Sequence, residues 1–251
     1  MNTNYMSRPF IYFCFFLSGA AGLMYEIIWT RFFGLTFGAT TYSITTVLTA
    51  FMAGLALGSL LLGRIADRLK QRVMFYGLIE LFIGIYAVLF PWIFDLSSRL
   101  YLHIIGTAVT DPAEKLFLKF GLSFISMLIP TTLMGGSLPL LSRVFVKDLK
   151  GISSGLGTLY AVNTLGAVVG TFLVGFYFLA AIGLKATLLV TALLNIGIGT
   201  AMIIASIKLK EKENSAGPPP SLSKASLTKQ EKQVMTFAVS AFMISGFVSL
   251  P

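Results

Sequence analysis

A carboxylate inside an apolar helix is the feature of this sequence that most clearly could bind a ligand or a proton. Glu26 lies near the end of the first apolar run, and Ser18 and Gly22 precede it at four-residue spacing. In a helix this spacing forms one row, with Tyr25 and Trp29 beside it. We expect an anion next to two aromatic rings to bind a cationic substrate or a proton. The alternative is an interfacial aromatic belt with a solvated carboxylate.

Two further polar residues lie inside apolar runs. Glu80 is about 10 Å beyond the start of the third run, which makes it a second intramembrane carboxylate. It either lines a cavity or reaches a loop arginine. Asn163 in the fifth run needs a hydrogen-bond partner, which is either a substrate or a neighbouring helix.

A charged loop between the second and third runs is a candidate gate, formed by Gly63, Asp67, Arg68 and Arg72. Asp67 can cap a helix end and pair with Arg68 or Arg72, and such pairs break easily at a wet surface. The alternative is a basic loop with one incidental aspartate.

Enzyme chemistry has little support in this sequence. It has one histidine and one cysteine, His103 and Cys14, about ninety residues apart. We therefore predict no metal site and no catalytic constellation. The glycines do not form a nucleotide-binding loop, and no cofactor is expected.

The composition excludes an ordinary soluble globule. The 251 residues are 56% hydrophobic and 12% charged, whereas soluble domains are about 25% charged. The lipid bilayer is therefore the expected partner. The net charge of +9 lies mainly in short loops, so it indicates topology rather than nucleic-acid binding.

Continuous apolar runs predict an all-α, polytopic membrane bundle, because helices satisfy their own backbone hydrogen bonds in lipid. Hydropathy predicts six spans: Pro9 to Thr30, Thr41 to Gly63, Val73 to Phe94, Leu116 to Ser142, Ile152 to Ala180 and Leu184 to Ile207. The segment Met134 to Pro139 is expected to break or kink the fourth span. Asp95 to Lys115 is expected to be the longest outer connection, with a short surface helix.

The loop charges predict the orientation. Fourteen of the 19 Lys and Arg residues lie before the first span or after the even-numbered spans. By the positive-inside rule the N-terminus is cytoplasmic, and we expect a bacterial-type inner membrane.

The domain organisation is expected to be a six-helix bundle over residues 1–207, a cytoplasmic linker over 208–233 and a partial seventh helix over 234–251. The linker is rich in Lys, Glu, Ser and Pro, a composition that cannot bury a core. The last segment repeats the first span at an offset of 227 residues, with Phe10 over Phe237 and Ser18 over Ser245. This is the layout of a carrier with two parallel halves. The chain would then act as a homodimer or with a second-half partner.

The charged loop resembles a family signature. Gly63, Ile65, Ala66, Asp67, Arg68 and Arg72 resemble the loop between the second and third helices of the major facilitator superfamily. The resemblance implies that Asp67 and the arginines lock neighbouring helix ends in one conformation and release them in another.

Four segments resemble a narrower family, in which a major-facilitator-like membrane region is fused to a spermidine-synthase-like domain. They are Leu17 to Arg31, Gly54 to Arg68, Met134 to Leu141 and Leu159 to Gly170. The resemblance implies a truncated N-terminal six-helix half, with polyamine chemistry confined to a longer parent protein.

Three functions stay open at this stage. The leading hypothesis is half of an alternating-access carrier for cationic or amine small molecules, with substrate-binding residues Tyr25, Glu26, Trp29 and Asn163. The second is a membrane domain that anchors or feeds a soluble aminopropyltransferase domain missing from this chain. The third is a nonfunctional fragment.

Overall fold

The computed structural model describes residues 8–37, 41–107, 111–145 and 152–215, and these are almost entirely helical. The helices are α1 (Arg8–Phe37), α2 (Thr41–Arg68), α3 (Arg72–Thr107), α4 (Pro112–Phe145), α5 (Ile152–Leu173) and α6 (Leu179–Ser215), with a π-helical segment (Val174–Phe178) between the last two. The all-α prediction is confirmed for the described residues. The described residues up to Glu211 belong to one compact unit. The predicted partial seventh helix, and the predicted linker beyond residue 215, lie outside the described residues.

Five stretches of the described chain are long and apolar enough to span a membrane: Arg8–Leu35, Ile44–Arg68, Arg72–Ile105, Ala113–Phe145 and Gly155–Lys208. These helices are compatible with an integral membrane protein. The last stretch has 54 residues, or about 80 Å if straight, whereas a hydrocarbon core is about 30 Å thick.

Gly183 interrupts this long stretch. Its φ of 76° and ψ of 174° are non-helical and belong to a region that only glycine adopts readily. The sequence placed the boundary between the fifth and sixth spans between Ala180 and Leu184, which brackets this residue. Asn163 and Asn195 lie on either side of Gly183 yet line the same cavity, so the chain turns back between them.

Local sequence sets two other helix boundaries. At the start of α4, the Asp111 carboxylate accepts a 2.7 Å hydrogen bond from the backbone N–H of Ala113, and Pro112 occupies a first-turn position that needs no donor. At the start of α3, the Gln71 carbonyl accepts the N–H of Phe75 at 3.0 Å.

Two predicted boundaries differ from the structure. Helix α3 continues to Thr107, so the third span was ended too early and the helix expected in the outer connection is part of α3. Helix α4 is continuous through the Met134 to Pro139 segment, so the fourth span has no break there. Neighbouring apolar surface outweighs the weak helix propensity of its two glycines.

Glycines bring the helices together in three close pairs. A β-carbon on Gly135 of α4 would overlap the Leu55 carbonyl of α2, and one on Gly166 of α5 would overlap the Phe16 carbonyl of α1. Gly77 of α3 likewise lies against the backbone of Gly199 in α6. Close backbone approach at small residues is how helices associate without a hydrophobic driving force.

Candidate functional site

A cavity of about 110 Å³ lies inside the bundle and is lined by residues from all six helices. One water needs roughly 10–15 Å³, so several waters or a small ligand fit. The polar lining residues are Ser18, Glu80, Ser137, Asn163 and Asn195, and most of the remaining wall is apolar.

Glu80 is the centre of the polar wall and is fully buried. The Ser18 hydroxyl donates to its Oε1 atom at 2.6 Å, and Asn195 Nδ2 donates to its Oε2 atom at 2.6 Å. Each carboxylate oxygen therefore has one donor, from α1 and α6 respectively. The amide orientation follows from chemistry, because the opposite one would point an oxygen at the carboxylate.

Three polar atoms around Glu80 have no hydrogen-bond partner: Tyr76 Oη, Ser137 Oγ and Asn195 Oδ1. Their residues are 0%, 5% and 2% exposed. The Tyr76 and Ser137 hydroxyls face the Glu80 carboxylate without forming a hydrogen bond of ordinary geometry. Buried polar atoms without partners are uncommon and each costs about 1–3 kcal/mol. A ligand or water in the cavity would satisfy the Ser137 and Asn195 atoms, because these two residues line it.

No Lys, Arg or His within the described ranges forms an ion pair with Glu80; the pair found there is Asp67 with Arg143. A buried charge without a counter-charge is strongly unfavourable. A proton or a cation would neutralise this carboxylate, which the described residues leave without a counter-charge.

Tyr25 and Trp29 are fully buried and stack on each other with ring centroids 5.2 Å apart. Trp29 continues into an aromatic cluster through Phe90, at 5.4 Å. Neither residue lines the cavity. Their hydroxyl and indole N–H have no partner among the described residues, and both rings pack in the larger apolar cluster.

Glu26 is half-buried and also does not line the cavity. Its neighbours in the predicted row, Ser18 and Gly22, do. The row is therefore present, but its cavity-facing part ends before Glu26.

Asn163 does line the cavity, and its backbone and side chain lie against Gly19 of α1. The structure thus brings Asn163 together with Glu80 in the cavity lining, which does not include Tyr25 or Trp29.

The candidate gate forms a cluster at the ends of three helices. Asp67 makes an ion pair with Arg143 of α4, instead of with Arg68 or Arg72. Arg72 donates to the Ala66 carbonyl at 3.0 Å and to the Arg143 carbonyl at 3.2 Å. Arg68 is exposed. Gly63 lies near Pro139 of α4, with room for a β-carbon at 3.7 Å.

Sequence reasoning missed three functional candidates: Tyr76, Asn195 and Arg143. An amide in an otherwise apolar run was a usable signal for Asn195, because it must find a partner in lipid. Tyr76 and Arg143 gave no such signal, since tyrosine and arginine are common near span ends. Within the described residues, no group of three His, Cys, Asp or Glu could hold a metal ion.

Comparison with known proteins adds no assignment. No family model, no curated protein and no solved structure matches this chain. The class is therefore defined by the fold and the site alone: described ranges that are almost entirely helical and compatible with membrane insertion, with a buried carboxylate in a cavity between the helices.

Proposed function

We propose that this chain is a transport-type membrane module, half of an alternating-access carrier, that binds cationic or amine small molecules at Glu80. The observation that carries the proposal is a fully buried carboxylate in a cavity lined by every helix. A structural carboxylate would be expected to have an ion-pair partner within the bundle. Glu80 has none within the part of the chain that the structure describes, and an external cation fills that role.

The cavity walls favour a small organic cation. Phe15, Phe51 and Ile83 supply apolar surface, while Asn163 and Ser137 supply polar groups beside the carboxylate. Aromatic faces attract cations, and apolar walls accept an alkyl group.

The proposed orientation places the Asp67 and Arg143 pair on the cytoplasmic side, below the cavity. The pair joins α2 to α4, and Arg72 joins α3 to both. Asp67 is about half exposed, and exposed pairs contribute only about 0–1 kcal/mol. Such a pair can open and close at little cost, as a gate requires.

The proposal includes six membrane crossings. The 54-residue stretch from Gly155 to Lys208 would cross twice, turning at Gly183. The N-terminus and the end of α6 would then lie on the same, cytoplasmic side. A second copy of the chain would complete the carrier.

The test is uptake of radiolabelled methylammonium by the full chain in liposomes. We expect saturable uptake by the parent protein, loss in Glu80→Gln, and retention in Glu26→Gln. The two variants make the same chemical change inside one bundle, so the comparison separates the cavity from a general effect of intramembrane charge. Equal uptake by parent protein and Glu80→Gln, or saturable uptake by neither, would overturn the proposal.

A further inference from the structure

We propose that the Glu80 cluster also binds Na⁺, and that Na⁺ and cationic cargo occupy the cavity in turn. This inference rests on the proposed function, because it assigns a second ligand to the same site. The cluster comprises the cavity-lining residues Glu80, Ser137 and Asn195, with Ser18 bonded to the carboxylate.

The first argument is the supply of oxygen ligands. Asn195 Oδ1 and Ser137 Oγ are buried atoms without a partner of ordinary geometry, and both residues line the cavity with Glu80. The Ser18 hydroxyl and Asn195 Nδ2 each donate to one oxygen of the carboxylate. Carboxylate, amide and hydroxyl oxygens are hard ligands, the kind that hard cations prefer.

The second argument separates a metal ion from a proton. A proton would neutralise Glu80, but the Asn195 amide would then have to turn over for its Oδ1 to accept that proton. In the orientation seen here no donor among the described residues reaches Oδ1. A cation held between the carboxylate and this amide oxygen satisfies both. Asn195 then contributes through both ends of its amide, with Nδ2 on Glu80 and Oδ1 on the ion.

The third argument sets the charge. Glu80 is the one carboxylate among the described cavity-lining residues, and Glu26 is not part of that lining. A monovalent ion balances one carboxylate, whereas a divalent ion would leave a buried positive charge. Sodium is therefore favoured over calcium or magnesium.

The consequence is that Na⁺ and the cationic cargo exchange with each other at Glu80. A single carboxylate cannot neutralise both an ammonium group and Na⁺ in one buried cavity. Binding of one must release the other, so Na⁺ would compete with cargo and would occupy the site on the return step.

The experiment measures the apparent Tm of the full purified chain in lipid nanodiscs. NaCl replaces choline chloride at constant ionic strength, with KCl as a second comparison. We expect the Tm to rise with the logarithm of the Na⁺ concentration, and to rise less with K⁺. Glu80→Gln should abolish the rise, Ser137→Ala should weaken the apparent affinity about tenfold, and Glu26→Gln should behave like the parent protein.

A competition arm separates the two proposals. Na⁺ should weaken methylammonium binding to the parent protein. Methylammonium binding that ignores Na⁺, together with a Tm equal in NaCl and choline chloride, would overturn the sodium site and leave the proposed function intact. If binding instead changes only with pH, the exchanged ion is a proton. A sodium effect on Tm without amine binding would overturn the amine cargo, and with it the exchange.

Discussion

Asn195 Nδ2 donates a 2.6 Å hydrogen bond to Glu80 Oε2, joining two helices whose residues are 115 positions apart in the chain. This bond ties α6 to α3 at the level of the cavity. It also fixes the amide so that its oxygen is left without a partner. The same contact therefore supports the fold and shapes the site.

Loss of this bond should destabilise the bundle. Asn195→Leu keeps the side-chain size but removes the donor to a buried carboxylate. We expect the free energy of unfolding to fall by about 1–3 kcal/mol. Thr191→Val is the matched control on the same helix, because the Thr191 hydroxyl only bonds the Thr187 carbonyl of its own helix. Equal unfolding midpoints for the two variants in denaturant titration would contradict this role of Asn195.

Close packing of α2 against α4 depends on Gly135. A β-carbon there would overlap the Leu55 backbone, whereas one on Gly121 of the same helix meets nothing within 4 Å. Gly135→Ala should therefore lower the apparent Tm, since the backbones must separate, at a cost of about 1–3 kcal/mol. Gly121→Ala should be neutral or slightly stabilising, because alanine is the better helix former. Thermal scans of both variants in one detergent decide the point, and a reversed order of Tm would contradict it.

The turn at Gly183 requires glycine for conformational reasons alone. No atom lies within 4 Å of a β-carbon placed there, but its φ is +76°. Gly183→Ala should cost about 1–3 kcal/mol of backbone strain. Gly197→Ala lies in regular helix of the same element, also with open space around it, and should not destabilise. The measurement is the unfolding midpoint in denaturant. A Gly183→Ala variant as stable as Gly197→Ala would show that this conformation is not required.

The Asp67 and Arg143 pair should contribute little to the free energy of unfolding, and its main effect should be to hold the cytoplasmic ends of α2 and α4 together. Asp67→Asn should change the free energy of unfolding by at most about 1 kcal/mol. The same change should increase access of a water-soluble maleimide to a cysteine placed at Ser142, a mostly buried residue of α4. Arg68→Gln is the control, because Arg68 is exposed and forms no ion pair with a described residue. Equal labelling in both variants would contradict the gate.

The proposed topology predicts a labelling pattern in intact cells. With Cys14→Ser as background, single cysteines replace three exposed residues: Lys70, Ala113 and Lys185. An impermeant maleimide should label positions 113 and 185 from outside, and position 70 only after permeabilisation. Labelling of position 70 but not 113 from outside would reverse the orientation. Labelling of 113 without 185 would remove the sixth crossing.

The sequence was informative where local chemistry determines structure. Apolar runs predicted the helices, and the boundary placed between Ala180 and Leu184 contains the non-helical Gly183. Hydropathy ended the third span before Thr107, where α3 ends. A helix can continue past the apolar run that crosses the bilayer, and hydropathy does not show where it stops. Residue type also identified Glu80 and Asn163 as polar groups that need a hydrogen-bond partner or a cavity inside the bundle.

The sequence could not predict which residues come together around Glu80. Ser18 and Asn195 reach Glu80 from 62 and 115 positions away, and no local pattern specifies such pairs. Glu26 and Glu80 are alike in type and in apolar surroundings, so only the packing of α1 against the other helices distinguishes the half-buried one from the cavity residue. The partner of Asp67 was misassigned for the same reason: Arg143 is distant in sequence and close in the fold.

The most direct test of the central claim is equilibrium binding of radiolabelled methylammonium to the purified full chain, compared between Glu80→Gln and Glu26→Gln. The account predicts saturable binding in the parent protein, unchanged binding in Glu26→Gln, and a loss of at least about tenfold in affinity in Glu80→Gln, since a charge-assisted contact in a buried site is removed. Folded protein is verified by the same elution profile and Tm for both variants. Full binding by Glu80→Gln with loss in Glu26→Gln would contradict the account and place the cation site at Glu26.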